Sequence, residues 1–244
     1  MFGFFKKKIH LRDCIPVGYV DIHSHTLCGI DDGAQNIQDT KFLLNAMQDL
    51  GFGKVITTPH TITDIHPNTT QIIQATHEKV VRELPKETQQ LSYHAASEYM
   101  LDDQFEARVK ADDLLTLKDK FVLVEMSYIN PPIFLDDVLF LLVSKGYTPV
   151  MAHPERYNFY KGEKSAFEHL KRMGCKLQLN LLSTVGYYGE SVAKTANMLL
   201  KEGMYDFSGS DMHHGKHVNA FDNPLVIKET DKLKDLLKKN EFFR

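Results

Sequence analysis

Tyr19-Val20-Asp21-Ile22-His23-Ser24-His25-Thr26 is the segment around which the rest of this chain is arranged. Tyrosine, valine and isoleucine favour a pleated, buried surface, which predicts a short β-strand. Because side chains alternate across a strand, Asp21, His23 and His25 are expected on the same face. Two imidazoles on one face can reach one cation. A buried strand with hydrogen-bonded histidines is the alternative, but packing alone explains such a pattern poorly.

The composition is that of a globular protein without a strong charge bias. The chain has 244 residues, of which 43% are hydrophobic, and a formal net charge of −3. A barrel of alternating strands and helices commonly has about 250 residues. The nearly balanced charge gives no reason to expect nucleic acid as a partner. The three cysteines, Cys14, Cys28 and Cys175, are scattered and odd in number, which favours a reducing, cytoplasmic location.

The first residues, Met1–Lys8, place phenylalanines before lysines. A secretory signal needs the reverse order and a longer apolar run. No stretch of the sequence approaches the roughly 20 apolar residues that span a bilayer. We therefore expect residues 1–17 to form a frayed or peripheral segment, with at most weak association with a membrane surface.

Seven strand-like segments alternate with helical segments along the chain. The strands are predicted at residues 19–26, 54–58, 91–99, 121–126, 148–153, 176–181 and 205–210. The helix predicted from Thr70 to Leu84 is halted by Pro85. No linker interrupts the pattern, so we predict a single α/β domain of residues 1–244. Such alternation produces a closed parallel barrel or an open doubly wound sheet, and both place their chemistry beyond the carboxyl ends of the strands.

Histidines and acidic residues occur at or just after the ends of six of these seven strands. They are His23, His25, His60, Glu98, Glu125, His153, Asp211 and His213, and Asp31 or Asp32 can join from the first loop. Unrelated surface histidines would not recur at strand ends in this way, so we expect these side chains to lie close together at one edge of the fold. Histidine and carboxylate without cysteine suit Mn²⁺, Fe²⁺ or Zn²⁺. So many ligands imply two or three ions, with a carboxylate such as Glu98 between two of them.

A site of this kind is suited to hydrolysis of a phosphate ester. Paired metal ions produce hydroxide from bound water near neutral pH and stabilise the charge on attacking and leaving oxygens. Arg156 follows His153 by three residues, and its guanidinium can hold two phosphate oxygens at once. The alternative for Arg156 is a surface ion pair with Glu155. The sequence has no Cys-x5-Arg segment, which a cysteinyl-phosphate mechanism usually requires.

Taken together, these residues resemble the polymerase-and-histidinol-phosphatase (PHP) family. The family pattern stands here as Asp21–His25, Thr58-Pro59-His60, Glu98, His153-Pro154 and Asp211-Met212-His213. Within that family the sequence is most similar to the bacterial manganese-dependent protein-tyrosine phosphatases of capsule and exopolysaccharide operons. This likeness depends on the Asp31-Asp32-Gly33 turn, Val124-Glu125 and His153-Pro154-Glu155-Arg156.

The resemblance implies a distorted seven-stranded (β/α) barrel that holds three metal ions, with Mn²⁺ expected and Fe²⁺ or Zn²⁺ as alternatives. It implies in-line attack by a metal-bridging hydroxide, and a substrate that is the tyrosine-rich tail of a bacterial tyrosine kinase. The implied ligand sets are His23, His25, Glu98 and Asp211 for one ion, Glu98, Glu125 and His153 for a second, and Asp32, His60 and His213 for a third.

The resemblance also assigns residues to the catalytic machinery outside the ligand sets. Arg156 would bind phosphate, and Asp21 would orient the site as an acceptor for a metal-bound histidine. A second phosphate-binding arginine is expected a few residues after His213, and this chain has none there. Lys216 or His217 is expected to substitute as the phosphate-binding cation.

Three other functions stay open at this point. Another PHP-type phosphatase would act on a small metabolite such as histidinol phosphate. An amidohydrolase also uses His-x-His on a first barrel strand, but it usually carries a lysine or a histidine at the middle strand ends, where this chain has Glu125. A regulatory module that binds metal without catalysis would be free to lose ligands, and this chain has the complete set.

Overall fold

The computed structural model describes residues 8–244. The membrane-surface contact expected of Met1–Lys8 therefore falls almost wholly outside the described residues. Leu11–Cys14, by contrast, form a 3-10 helix in which Leu11 and Cys14 are buried. Of the two alternatives expected for residues 1–17, frayed or peripheral, this part of the segment therefore fits the peripheral one. No helix between residues 8 and 244 is both long and apolar enough to cross a membrane.

The strands pair in parallel within two sheets. They are β1 (Tyr19–Asp21), β2 (Phe52–Thr57), β3 (His60–Thr61), β4 (His94–Ala95), β5 (Glu98–Met100), β6 (Phe121–Glu125), β7 (Thr148–Ala152), β8 (Lys176–Asn180) and β9 (Phe207–Gly209). One sheet has the order β1-β2-β4 and the other has the order β3-β5-β6-β7-β8-β9. The α/β class predicted from the alternating pattern is confirmed.

Helices separate most of the consecutive strands. They are α1 (Ile37–Asp49), α2 (Thr70–Glu83), α3 (Pro85–Gln90), α4 (Phe105–Ala111), α5 (Leu135–Ser144), α6 (Lys164–Arg172), α7 (Glu190–Lys201), α8 (Gly215–Ala220) and α9 (Thr230–Lys239). Pro85 ends α2 as predicted, but it also begins α3, because the first position of a helix needs no N–H. The strand predicted at residues 91–99 begins later, at His94, because Leu91 caps α3 and a turn follows it.

The second and third predicted strands each correspond to two short strands that are separated by a break, β2 with β3 and β4 with β5. β2 ends before Pro59, which has no N–H to offer a ladder. The pairing keeps the same offset on both sides of the break, since Thr57 pairs with Ala95 and His60 pairs with Glu98. The break therefore delivers His60 and Glu98 side by side at the same end of their strands.

The chain that follows β1 pairs with the chain that follows β9. The Asp211 N–H donates to His23 O at 2.7 Å, and the His25 N–H donates to Met212 O at 2.9 Å. The predicted first strand was thus too long, because β1 itself covers Tyr19–Asp21. The chain beyond it stays next to the end of β2, since Ser24 O accepts the Thr58 N–H at 2.7 Å. This pairing brings both histidines beside Asp211.

A small apolar cluster lies beneath the charged strand ends. It is built from residues in or directly after strands of both sheets, and these are Val20, Ile22, Ile56, Ala96, Leu123, Val150, Ala152 and Phe207, together with Leu117 and Phe243. Leu123 and Glu125 are two residues apart on β6 and so share a face. The charged site therefore begins where this apolar cluster ends.

Asn240 ties β1 to β9 inside the protein. Its Nδ2 donates to Val20 O at 2.8 Å and to Ser208 O at 2.6 Å, and its Oδ1 accepts the Ser208 N–H at 3.0 Å. The Tyr19 hydroxyl lies 2.9 Å from the Ser208 hydroxyl in the same place. A residue near the C-terminus thus joins the two sheets on the side away from the site.

The Asn240→Ala variant is expected to lower the free energy of unfolding by about 2–4 kcal/mol, since several buried backbone groups lose their partner. Urea unfolding followed by circular dichroism measures this change. The control is Asn45→Ala on the exposed face of α1, which should change stability by less than about 0.5 kcal/mol. Equal effects of the two substitutions would contradict the role given to Asn240.

Candidate metal centre

The structure brings all nine predicted ligands together in one cluster. They form four overlapping groups in which ligand atoms lie within 4.8 Å of one another, and the members are His23, His25, Asp32, His60, Glu98, Glu125, His153, Asp211 and His213. Most of these side chains are buried. They come from strand ends and loops far apart in the chain, as the parallel topology allows.

Glu98 lies at the centre of the cluster and is fully buried. Its Oε2 lies 3.1 Å from His23 Nε2 and 3.3 Å from His25 Nε2. The same oxygen lies 3.2 Å from His60 Nδ1, and Oε1 lies 3.0 Å from His153 Nε2. One carboxylate in reach of four imidazoles has the position of a ligand shared between ions.

Two of the predicted ligands have a left-handed backbone conformation. His153 has a φ of 34° and Asp211 a φ of 50°, a region that side chains with a Cβ rarely adopt. Such conformations cost roughly 1–3 kcal/mol each and are concentrated at functional sites. Asp211 gains from it a position where its Oδ1 is 3.2 Å from His23 Nε2 and 3.4 Å from His25 Nε2.

Hydrogen bonds on the far side of the rings hold His23 and His25. His23 Nδ1 donates to Gln178 Oε1 at 3.0 Å, and His25 Nδ1 donates to Asp31 Oδ2 at 2.8 Å. These bonds leave Nε2 of both rings facing the cluster. A metal-binding imidazole is usually oriented in this way by an acceptor on its other nitrogen.

The acceptor role predicted for Asp21 was wrong. Its carboxylate accepts the N–H and the hydroxyl of Ser210, both at 2.8 Å. Asp21 therefore fixes the backbone next to Asp211 and contacts no histidine ring through a hydrogen bond. Sequence reasoning missed Gln178 because it lies at the one strand that lacked a histidine or an acidic residue at its end, and it gave Asp31 only as an alternative ligand.

Gly33 allows the turn of residues 31–33 to lie against the backbone of His25. A Cβ on Gly33 would lie 2.1 Å from His25 O, so no other residue fits without a shift of the backbone. The turn carries Asp32 towards the cluster, with its Oδ1 3.3 Å from His213 Nε2. The His213 Nδ1 donates to Asp211 O at 2.8 Å, which leaves Nε2 free to face Asp32.

The unpaired atoms of the cluster fit divalent cations. Among residues 8–244, the buried atoms without a hydrogen-bond partner include Glu98 Oε2, Glu125 Oε1, His60 Nδ1 and His153 Nδ1. Glu125 Oε1 is 2.9 Å from His60 Nδ1 and yet forms no hydrogen bond with it. Leaving buried carboxylate oxygens unpaired is costly, and nitrogen and oxygen donors without thiolates suit Mn²⁺, Fe²⁺ or Zn²⁺.

The charges within the cluster are strongly coupled. Burial raises the pKa of the Glu98 carboxyl, but His23 and then His60 outweigh it and hold this pKa well below its usual range. Burial lowers the pKa of His23, and Glu98 with Asp211 outweighs it and raises this pKa to about 10. Since a ligand histidine must be neutral, divalent cations compete with protons for these nitrogens, and their binding releases protons.

The cluster forms the floor of a pocket of about 720 Å³ that Arg156 enters from one side. Its guanidinium carbon lies 4.8 Å from the ring centre of Tyr128 and 4.1 Å from that of Tyr188. Its Nη1 donates to Asp211 Oδ2 at 2.8 Å. Two aromatic faces and a carboxylate thus fix a cation beside the floor, with its other donors available to a ligand.

Residues 19–221 match the family described as Capsular polysaccharide synthesis, CpsB/CapC. This chain belongs to that family. The tyrosine-protein phosphatase YwqE of Bacillus subtilis is 28% identical over 201 residues, which cover 82% of this chain and 79% of that protein. The tyrosine-protein phosphatase CpsB of Streptococcus agalactiae serotype V is 28% identical over 202 residues, which cover 80% of this chain and 83% of that protein.

The fold of this CpsB/CapC family member is also that of a solved relative. The structure described as YwqE from Bacillus subtilis and CpsB from Streptococcus pneumoniae, unique metal-dependent tyrosine phosphatases, superposes with a TM-score of 0.76 at 26% identity. The match covers 92% of this chain and 88% of that chain. The likeness to capsule-operon tyrosine phosphatases that the motifs predicted is confirmed.

Arg156 does not form the surface ion pair with Glu155 that the sequence left open as an alternative. Glu155 is buried and accepts the Asn180 N–H at 2.9 Å. It also accepts the hydroxyls of Ser183 at 2.7 Å and Tyr205 at 2.9 Å. The surface-pair alternative was therefore wrong, and Glu155 instead anchors the turn that carries Arg156.

The predicted substitutes for a second phosphate-binding arginine do not supply a cation to the pocket. Lys216 is exposed and lies outside the pocket lining. His217 does line the pocket, but burial and then the neighbouring His213 lower its pKa to about 4, so its ring is neutral near pH 7. Lys216 is therefore not placed to bind a phosphate in the pocket, and the role predicted for His217 stays a prediction. Arg156 is the one lysine or arginine that lines the pocket within residues 8–244.

Sequence reasoning missed several residues of the pocket wall, among them the aromatic residues His66, Tyr128 and Tyr188. The ring of His66 stacks on that of His60 with 5.7 Å between centres and 10° between planes. Tyr128 and Tyr188 both follow strand ends, which was the available signal. The chain has ten tyrosines, however, so position alone did not distinguish these two.

The Glu98→Ala variant is expected to lose at least half of the divalent metal that the wild type retains after identical loading, because one side chain serves several groups of the cluster. Metal per chain is measured by inductively coupled plasma mass spectrometry. Glu87→Ala removes another buried carboxylate, one that pairs with Lys41 away from the cluster, and should keep the wild-type metal content. Retention of all metal by Glu98→Ala would contradict the central position of Glu98.

Proposed function

We propose that this protein is a metal-dependent protein-tyrosine phosphatase. The observation that carries the proposal is a buried cluster of imidazoles and carboxylates with one fixed guanidinium at its side. Its relatives YwqE and CpsB are named tyrosine-protein phosphatases, and a solved relative is described as metal-dependent. A metal-dependent phosphatase needs both parts, one to activate water and one to bind the phosphate.

We propose three ligand sets that share members. His23, His25 and Asp211 form one group in the structure, and Glu98 lies within 3.3 Å of both histidines. Glu98, Glu125 and His153 would hold a second ion. Asp32, His60 and His213 would hold a third, and these three fall in one group of the structure. Two to three divalent ions are proposed, with Mn²⁺ preferred on the family resemblance and Fe²⁺ or Zn²⁺ compatible with the same donors.

The residues of this chain would divide the work of the reaction. Bound divalent cations supply an activated water and positive charge near the phosphoryl oxygens. Arg156 binds two of those oxygens with donors that it does not use for Asp211. Gln178 and Asp31 keep the histidine rings oriented while charge develops. A phenol has a pKa of about 10, so it leaves more readily than an alkoxide and needs less help from a general acid.

We propose a phosphotyrosine-bearing protein as the substrate, and more narrowly the tyrosine-rich tail of a bacterial tyrosine kinase of polysaccharide synthesis. The family description and the names of the relatives support a role in capsule production. The pocket supports a substrate that reaches in from outside, since it opens to solvent beside exposed side chains such as Ile129.

We also propose that the two sheets close into one distorted seven-stranded (β/α) barrel, in a single domain of residues 1–244. The backbone bonds from Asp211 to His23 and from His25 to Met212 support closure between the first and last strands. The constant pairing offset across the break before His60 supports the counting of β2 with β3, and of β4 with β5, as single strands.

The direct test uses metal-stripped protein that is supplied again with Mn²⁺, Fe²⁺ or Zn²⁺. We expect no hydrolysis without metal and the highest kcat/KM on a phosphotyrosine peptide with Mn²⁺. Histidinol phosphate and a dihydropyrimidine are assayed beside the peptide to represent a metabolite phosphatase and an amidohydrolase. A preference for either small substrate would overturn the proposal, and a metal-loaded protein inactive on all three would favour a regulatory module.

The Arg156→Ala variant is expected to lower kcat/KM on the phosphotyrosine peptide by about 100- to 1,000-fold, the usual cost of removing one fixed donor from the transition state. Arg156→Lys should fall between this variant and the wild type, because it keeps the charge but loses the two-pronged contact. Metal content should stay within a tenth of the wild-type value.

Arg172→Ala is the matched control, since Arg172 is exposed on α6 and lies outside the pocket lining. It should retain the full wild-type rate. Loss of metal from Arg156→Ala would show that Arg156 supports Asp211 rather than the phosphate.

A further inference from the structure

The mouth of the pocket is apolar, although its floor is charged. Ile65 and Ile129 line the pocket with 68% and 79% of their surfaces exposed, and Tyr128 lies next to Ile129 with 37% exposed. Single exposed isoleucines are common on protein surfaces. Here two of them come from different loops, one after β3 and one after β6, and both border the same pocket.

The loop that carries Ile65 is held in a fixed conformation. Ile62 and His66 exchange two backbone hydrogen bonds of 3.0 and 2.9 Å across its base. The Thr63 N–H and hydroxyl both donate to Asp102 Oδ2, at 2.9 and 2.8 Å. Ile65 is therefore presented at the mouth by a tethered turn.

The loop that carries Ile129 is also anchored. The ring of Tyr128 packs 5.7 Å from the ring of His153 and 6.0 Å from the ring of Tyr157. The Ile129 N–H donates to Ser127 Oγ at 3.3 Å. Both sides of the mouth are thus pre-organised, which lowers the entropic cost of binding a ligand there.

We infer that Ile65, Tyr128 and Ile129 form an apolar collar that holds the phenyl ring of a phosphotyrosine. This inference rests on the proposed function, because it takes the phosphate to lie on the floor beside Arg156. The ester group must then extend towards the mouth. A phenyl ring is long, rigid and apolar, so it places its faces against the collar.

The collar also explains which phosphate esters fit less well. The side chain of phosphoserine is short, so the polar peptide backbone would have to enter the collar and lose its hydration. A small polar metabolite would leave the isoleucines exposed and gain nothing from them. The collar therefore sets the preference for phosphotyrosine, whereas the floor sets the chemistry.

The test compares two peptides of one sequence that differ only in phosphotyrosine or phosphoserine, with Mn²⁺-loaded protein. The wild type is expected to prefer phosphotyrosine. In Ile129→Ser and in Ile65→Ser the ratio of the two kcat/KM values is expected to fall about tenfold each, the effect of losing one apolar contact in a specificity pocket. The better leaving ability of the phenol contributes equally in every variant. It therefore does not affect how this ratio differs between a variant and the wild type.

Ile133→Ser is the matched control, since Ile133 is fully exposed in the same loop and lies outside the pocket lining. It should keep the wild-type ratio, and the melting temperature and metal content of every variant are measured to exclude misfolding. An unchanged ratio in Ile129→Ser and Ile65→Ser, or an equal fall in Ile133→Ser, overturns the collar and leaves the proposed function intact. A wild type that hydrolyses neither peptide, or prefers phosphoserine, overturns both.

Discussion

The structure depends on the burial of many ionisable side chains in one place. Glu98, Asp211 and the histidines around them are almost completely shielded from water, and only mutual attraction or bound cations can offset the loss of hydration. Ordinary cores avoid such groups, whereas this one accepts them together with a left-handed backbone at His153 and Asp211. The packed strands beneath offset this unfavourable free energy, because Asn240 and the small apolar cluster hold the two sheets together.

Parallel topology is what converts a scattered sequence pattern into this cluster. His60 and Glu98 are neighbours because their strands pair with a constant offset, and Glu125 joins them from the next strand of the same sheet. Most strands contribute a side chain at or next to one of their ends, so no local motif has to contain the whole site. The loops that follow can then vary, and they supply the guanidinium on one side of the pocket and the apolar mouth above it.

The sequence predicted the α/β class and the nine clustered residues, because period-two strands with charged ends leave a pattern that needs no tertiary information. It did not predict the acceptors of the histidine rings. Gln178 and Asp31 are recognised as acceptors only from their distances to Nδ1 of His23 and His25. Asp21 is also a carboxylate and stands in the same motif as the two histidines, but it accepts from Ser210 instead. The sequence also did not predict the lowered pKa of His217, because burial is its largest cause. The predicted length of the first strand was wrong because regular pairing with β2 ends at Asp21, and the chain beyond it bonds both to Thr58 and to the chain after β9.

Charge balance connects the proposed number of ions to the missing second arginine. The cluster contains four carboxylates, from Asp32, Glu98, Glu125 and Asp211, and a phosphate monoester brings two further negative charges. A single divalent ion would leave the floor strongly negative and would repel the substrate. Three divalent ions match the negative charge of floor and substrate together. The attacking hydroxide would bring one further negative charge, which Arg156 would balance, so the proposed charges sum to zero without another cationic side chain.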